Sequence, residues 1–409
     1  MGSPRLLLLA GGGGSFTIPV ASWQVSAPSA ATIESNLAAM LAGNAITVTV
    51  ASVVKETGYR PASVYNALWT RDHAYVLWHR PTLLTTAQRQ QFVTYTLSRR
   101  TVGSETDPDG GTLPANWIAD RIDAAGVAAF KNAGASKLPF MDGIAFVILA
   151  LWSDWSLTRD LTTFTASKAA IDTCLGVLPI SASGCVWSDP ANPSVDYGFT
   201  DTIKKTGDVA YGTALLAWSY KMMGEMAGDG SYDAARATAE AGLATLRQSS
   251  GWYNGSSVNN AARDDVWATA LIAAEGLASY ANCVASGQTI ATAYATGTTD
   301  AFGYTSQITQ YGLVRHLPSG QNWVGTSTAA GTYQNGGYWL TPLWDCVRAV
   351  SLVNPALARS WAAEAMTQLN DERVAEGTWA NVPYEWHNRG VGVGAKGYSA
   401  SAALVHRFV

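Results

Sequence analysis

The stretch Gly143-Ile-Ala-Phe-Val-Ile-Leu-Ala-Leu-Trp152 is apolar around its full circumference. As a helix it leaves no face for water, so it must be enclosed by other helices. Segments 210–218 and 266–278 read the same way, whereas 232–248 and 355–370 are amphipathic. Wholly apolar helices alternating with amphipathic ones are what an inner ring wrapped by an outer ring requires. The expected fold class is all-α, an (α/α)6 toroid of six helical hairpins. A helical solenoid is the competing arrangement, and no fixed-period repeat supports it.

Outward from that stretch, helical spacing predicts helices over 31–43, 72–80, 86–100, 140–156, 163–177, 207–227, 232–248, 264–282, 286–297, 338–353, 355–370 and 394–408. Residues 45–54 read as one strand. Long loops over 101–139, 178–206, 249–263, 298–337 and 371–393 mostly precede the expected inner helices, and loops of this length are commonly functional. Residues 1–30 read as an extended N-terminal arm, with strands around Phe16–Val20 and Trp23–Val25. The toroid would then occupy 31–409. Such an arm leaves a homo-oligomer, or assembly through the arm, open.

The chain has 409 residues with 48% hydrophobic and 14% charged, including 16 Trp, 17 Tyr and 39 Gly, which describes a folded body with glycine-rich loops. A net charge of −4 argues against a phosphate-binding surface, so nucleic acid is a poor partner. Cys174, Cys185, Cys283 and Cys346 form no CxxC pair, which argues against a structural metal site and leaves a Cys174–Cys185 disulfide open. The apolar run Leu6–Ala10 is too short for a reliable export signal, and no run is long enough to span a bilayer. The chain is expected to be soluble, with its compartment, cytoplasmic, secreted or virion-associated, left undecided.

Carboxylates and indoles gather at the expected inner helix heads. Asn66-Ala-Leu-Trp69-Thr-Arg71-Asp72-His73 opens one helix, and Pro139-Phe-Met-Asp142-Gly opens the next. Trp117 lies in the loop between them. Val195-Asp196-Tyr197-Gly-Phe-Thr-Asp201 sets two carboxylates close together before a third, Arg263-Asp264-Asp265-Val-Trp267 opens a fourth, and Tyr333-Gln334-Asn335-Gly-Gly-Tyr-Trp339 a fifth. Near the end, Tyr384-Glu385-Trp386-His387 holds a carboxylate between aromatics, which raises its pKa by desolvation and suits proton transfer. An Asp or Asn at a helix head is explained by capping, but a neighbouring Trp is not. Together these groups have the composition of a carbohydrate site, polar and walled by aromatics.

Taken in order, these motifs resemble the six-hairpin clan of inverting glycoside hydrolases, which includes glucoamylases, trehalases, processing α-glucosidases and α-L-rhamnosidases. Trp69-Thr-Arg71-Asp72 is similar to the element that contacts the terminal sugar. Asp196-Tyr-Gly-Phe-Thr-Asp201 is similar to the segment that carries the general acid, Asn335-Gly-Gly-Tyr-Trp339 to a fifth-hairpin element, and Tyr384-Glu385-Trp386 to the element that holds the general base. The overlap spans most of 60–409. Asp196 stands where the clan has Glu, and Asp201 lies one position later than the clan's acid, so Asp196, Asp201 and Asp142 all remain candidates.

The resemblance implies an exo-acting hydrolase that inverts configuration, with Asp201 as acid and Glu385 as base. Trp69, Arg71, Asp72, Trp117, Asp142, Asp196, Tyr197, Asp265, Trp267, Gln334, Asn335, Trp339, Trp386 and His387 would hold the sugar, and no metal or cofactor is called for. A non-catalytic carbohydrate-binding or virion structural protein on the same toroid is the second expectation. A lyase or epimerase using His387 or His73 is the third.

Overall fold

A computed structural model of the chain describes residues 30–103, 105, 113–130, 139–299, 303, 305–368, 383–388 and 391–408. The expected arm, with its strands at Phe16–Val20 and Trp23–Val25, lies outside the described residues except for Ala30, the first residue of a helix. That helix, α1 (Ala30–Gly43), leads into β1 (Ala45–Val50), β2 (Val53–Tyr59), β3 (Ala67–Trp69), α2 (Thr70–His79) and α3 (Thr86–Ser98). Next come β4 (Arg121–Asp123), β5 (Ala128–Ala129), α4 (Gly143–Thr158), α5 (Thr162–Gly176), β6 (Trp187–Ser188) and β7 (Gly207–Asp208). Four helices follow, α6 (Ala210–Ala227), α7 (Asp233–Thr245), α8 (Val266–Glu275) and α9 (Tyr280–Ala295), then β8 (Thr309–Gln310), β9 (Leu313–Arg315) and β10 (Tyr338–Trp339). The chain closes with α10 (Leu343–Ser351), α11 (Pro355–Gln368), β11 (His387–Asn388), β12 (Gly392–Val393) and α12 (Ser399–Val405).

Helices dominate, but the fold is not all-α. Strands within the long loops pair into small antiparallel sheets: β3-β4-β5, β6-β7, and a five-stranded β12-β11-β10-β9-β8. The single strand expected over 45–54 is a hairpin, β1 with β2, turning at Ala51 and Ser52, which have φ of 49° and 63°. Both are non-glycine residues in the left-handed region, so the sequence carries no glycine signal for the turn.

Several helix bounds differ from the periodicity for local reasons. The span expected over 264–282 stops at Gly276, whose φ of 65° is left-handed, and Ser279 caps the next helix by accepting from the Asn282 N–H. At 338–342 the chain is strand and turn, so α10 starts at Leu343 behind Pro342. Strand β12 and Gly397, with a φ of 77°, delay α12 to Ser399.

Every residue of α2, α8 and α12 is buried, whereas α7 buries only Ala239, Gly242 and Leu243. This is the alternation read from the apolar stretch of α4. Successive even helices pack on one another, α2 on α4, α4 on α6, α6 on α8 and α8 on α10, and α12 packs on α2. Between α10 and α12, the Thr341 and Ser401 hydroxyls lie 3.2 Å apart and the Trp344 ring meets Phe408. Ile148 and Leu149 of α4 are fully buried, each contributing roughly 2 kcal/mol of transfer free energy.

First turns meet first turns and last turns meet last turns. Arg71 of α2 reaches Asp142 at the head of α4, and Tyr398 ahead of α12 donates to Asp72 of α2. At the other end, Lys221 of α6 and Arg348 of α10 converge on Glu275 of α8. The even helices therefore run in one direction, and the described parts of the long loops gather at their N-terminal heads. All four cysteines are free and buried, so Cys174 and Cys185 form no disulfide. Among the described residues, no helix is long and apolar enough to cross a membrane.

Candidate active site

At the head of α2, the buried Arg71 donates from Nε to Asp142 Oδ2 at 3.1 Å and from Nη2 to Asp120 Oδ1. Burial disfavours its charge, but Asp120 and Asp142 outweigh that and hold the guanidinium protonated. The fit demands a glycine opposite: a Cβ on Gly198 would fall 1.8 Å from the Arg71 guanidinium carbon. The Gly198 N–H also donates to Asp142 Oδ2 at 2.8 Å. Beside it, Asp72 accepts from the Tyr398 hydroxyl, and burial pushes its pKa up to about 7 despite Arg71 and Tyr398.

Glu385 lies just before β11 and is 8% exposed. Its carboxylate accepts from the Tyr65 hydroxyl at 3.3 Å, the Tyr333 hydroxyl at 3.4 Å and the Ala395 N–H at 3.4 Å. Burial raises its pKa to about 7, the nearby charge of Asp201 adds to the rise, and the three hydrogen bonds oppose it. Tyr333 holds its place with a left-handed φ of 40°, and its carbonyl accepts from Trp339 Nε1 at 3.2 Å. Trp386 lies against Gly394, where a Cβ would come within 2.4 Å of the indole.

Asp201 follows the 3-10 turn Gly198–Thr200 and accepts from Gln334 Nε2 at 2.6 Å. The same buried amide takes the Thr202 N–H and hydroxyl on its oxygen, both at 2.8 Å. Gln334 thus holds the Asp201 loop, where a sugar contact was expected. The charge of Asp201 bears on Glu385, Tyr65 and Tyr333, which joins the Asp201 and Glu385 loops in one electrostatic neighbourhood.

Other expected sugar contacts are engaged within the protein. Asp196 and Asp265 are fully buried around Lys205, whose Nζ is 3.5 Å from Asp196 Oδ2 and 2.9 Å from Asp265 Oδ2. Tyr197 stacks on Tyr211 at 3.8 Å, Trp267 stacks on His316 at 3.7 Å, and Trp117 lies in the main apolar core. Trp339 packs among Tyr333, Tyr398 and Phe199, a wall behind the cluster. Asn335 ties its own loop by accepting from the Trp323 N–H and donating to the Thr328 carbonyl. His387, the first residue of β11, is buried against Tyr311. His73 is a core histidine: its Nδ1 accepts from the Tyr59 N–H and burial lowers its pKa to about 3. Trp69 and Trp386 remain half-buried, Trp69 edge-on to Tyr65 at 5.1 Å with the Arg121 guanidinium 5.4 Å from its ring centre.

Tyr65, Asp120 and Tyr398 were not singled out from the sequence, and Lys205 and Tyr333 were given no role there. None sits in a local motif that names its chemistry. A surface cavity of about 480 Å³, lined by Trp252, Asp264, Gln307 and Gln321 among others, shares no residue with the cluster. It brings one carboxylate, Asp264, and no second acid. Among the described residues no group of three His, Cys, Asp or Glu side chains is placed to hold a metal ion.

The sequence matches no protein-family profile and no curated protein. Solved structures do match. The GH63 mannosylglycerate hydrolase from Thermus thermophilus in complex with glucose is 12% identical with a TM-score of 0.59, over 92% of this chain and 99% of that one. A glycosidase variant in complex with glucose is 13% identical with a TM-score of 0.57, over 95% of this chain and 96% of that one. An uncharacterized conserved protein from Thermus thermophilus is 14% identical with a TM-score of 0.59, over 92% and 99%. At these identities the likeness is one of fold.

Proposed function

We propose that this chain is a glycoside hydrolase that removes a terminal sugar with inversion, on an (α/α)6 ring whose inner helices are α2, α4, α6, α8, α10 and α12. The observation that carries the reading is that Gln334 donates to Asp201 at 2.6 Å while its neighbour Tyr333 donates to Glu385 at 3.4 Å, so one loop holds two carboxyls that come from distant parts of the chain, and the charge of Asp201 reaches Glu385. The fold shared with glycosidases supports it. Half-buried Trp69 and Trp386 supply the flat apolar faces that a sugar ring needs.

In this reading Asp201, at the tip of its loop and more exposed than Glu385, faces the departing group. Its carboxylic acid gives a proton to the glycosidic oxygen as the anomeric C–O bond breaks, and that bond's electron pair stays on the leaving oxygen. Water attacks the anomeric carbon from the opposite face and its proton passes to the Glu385 carboxylate, oriented by Tyr65 and Tyr333. Inversion needs roughly 6.5–9.5 Å between the two carboxyls, room for that water. Asp72, held by Tyr398 beside Arg71, is the proposed partner for sugar hydroxyls. The two carboxyls and one water balance the reaction.

The test is release of reducing sugar from a panel of oligosaccharides and aryl glycosides by wild type, Asp201→Asn and Glu385→Gln, with NMR of the first-formed anomer. Each variant is expected to lose about 10²–10⁴-fold in kcat/KM on poor leaving groups. On a glycosyl fluoride, whose leaving group needs no proton, Asp201→Asn recovers and Glu385→Gln does not. A wild type silent on every linkage that still binds glycans would establish the non-catalytic carbohydrate-binding reading instead. Recovery by Glu385→Gln alone would exchange the two roles.

A further inference from the structure

We infer that Lys205 is the positioning residue for Asp201: its ammonium, planted between Asp196 and Asp265, closes the 196–205 segment into a tied loop that presents Asp201 at its tip. The inference rests on the proposed role of Asp201. Lys205 Nζ is 3.5 Å from Asp196 Oδ2, at the other end of the same loop, and 2.9 Å from Asp265 Oδ2, at the head of α8. All three side chains are at most 1% exposed. Asp196 also accepts from the Gly212 N–H in the first turn of α6, and Asp265 caps α8 by accepting from the Ala268 N–H. One cation therefore fastens both ends of the loop to two inner helices at once.

The tip is held from the other side. Gln334 accepts from the Thr202 N–H and donates to Asp201, Ile203 bridges to Thr326, and the Lys204 N–H donates to the Gly325 carbonyl. Pinned below by Lys205 and above by Gln334, the Asp201 carboxyl has little room to swing. The indole of Trp323, 4.7 Å from the ammonium, closes the cluster from the side. A lysine in this position is unusual: it is fully buried, and among the described residues no other cation pairs with either carboxylate. Without it, one of two buried aspartates must take a proton or the segment must move. Either outcome is transmitted to Asp201, four residues away.

The test uses leaving-group dependence, which a merely structural lysine would not affect. Lys205→Met, checked for folding by circular dichroism and thermal unfolding, is assayed on a glycoside with a poor leaving group and on the glycosyl fluoride of the same sugar. A loss of about a hundredfold in kcat on the first, with under threefold on the second and little change in KM, is the expected result. Lys205→Arg, which keeps the charge, is expected to recover part of that loss, and it carries the comparison if the Met variant does not fold. Equal losses on both substrates, or none, overturn the role of Lys205. Where Asp201→Asn in the same assay still shows the selective loss, the acid assignment survives and only the positioning claim falls. A wild type silent on both substrates overturns the two together.

Discussion

At the C-terminal ends of α6, α8 and α10, Glu275 is met by Arg348 and Lys221, whereas at the head end Glu385 is met by two phenols and a backbone N–H. Both carboxyls are well buried. Burial acts to raise Glu275, but the two cations outweigh it and leave its pKa below the ordinary value, while Glu385 is left at about 7. The Lys221 ammonium also donates to the Glu275 carbonyl at 2.6 Å, satisfying a helix end whose dipole favours cations. A carboxylate balanced by cations stays ionised and joins helices. A carboxyl balanced only by dipoles exchanges protons near neutrality, as proton transfer to a substrate requires.

The largest expected effect breaks the balanced end. Arg348→Met leaves Glu275 buried with Lys221 as its remaining cation and should cost about 3–5 kcal/mol in urea unfolding. Replacing Glu275 and Lys221 by Met as well should restore most of that stability, because well-packed apolar groups can replace a whole buried ionic cluster. Activity per folded molecule should be unchanged by either variant. A single variant that costs under about 1 kcal/mol would mean this end is no more closed than the head end.

A smaller effect sharpens the head end. Tyr333→Phe removes one of the hydrogen bonds that favour ionised Glu385, so the Glu385 pKa should rise, by no more than about one unit. kcat/KM at pH 6 should fall by up to about tenfold, with thermal stability altered by under about 1 kcal/mol. Loss of stability without loss of rate would make Tyr333 part of the wall, like Trp339.

How much of this the sequence revealed follows from how local each signal is. The apolar circumference of 143–152 was a property of ten adjacent residues, and Gly143–Leu151 are buried as that demanded, with Trp152 half-buried. The turn at Ala51 and Ser52 escaped because neither residue advertises a left-handed backbone. Glu385 stood out through its own neighbours, Tyr384 and Trp386. Its hydroxyl partners did not, since Tyr65 and Tyr333 lie 320 and 52 residues away in the chain. Lys205, in Ile-Lys-Lys-Thr, reads like a solvated turn; its burial depends on Asp196 and Asp265 arriving from separate helix heads. Asp196 and Asp265 were expected at the sugar for the same reason, because nothing local shows that a lysine claims them.

The finest test asks how far the cations of the balanced end reach back along α10 toward its head. Asp345, in the first turn of α10, is 3% exposed and lies 3.9 Å from Arg348, whose Nη1 is engaged by Glu275. Burial pushes its pKa up to about 7 from an ordinary 3.8, with Arg348 opposing and Glu275 adding to the rise. A carboxyl whose folded pKa lies above its unfolded one binds its proton more tightly in the native state. Its stabilising contribution is complete below about pH 3.8 and is lost as pH rises through about 7. Glu275, with the opposite shift, contributes above its unfolded pKa and loses that contribution as pH falls. Wild-type stability from urea unfolding should therefore drop between pH 6 and pH 7, with Asp345 responsible for about 1 kcal/mol of the decrease. Asp345→Asn, close in shape and without a titratable proton, should flatten that step, while Asp72 and Glu385, raised in the same direction, leave a residual slope. A step as steep as wild type's would mean that Arg348 already holds Asp345 ionised, and that the proton-exchanging carboxyls are confined to Asp72 and Glu385.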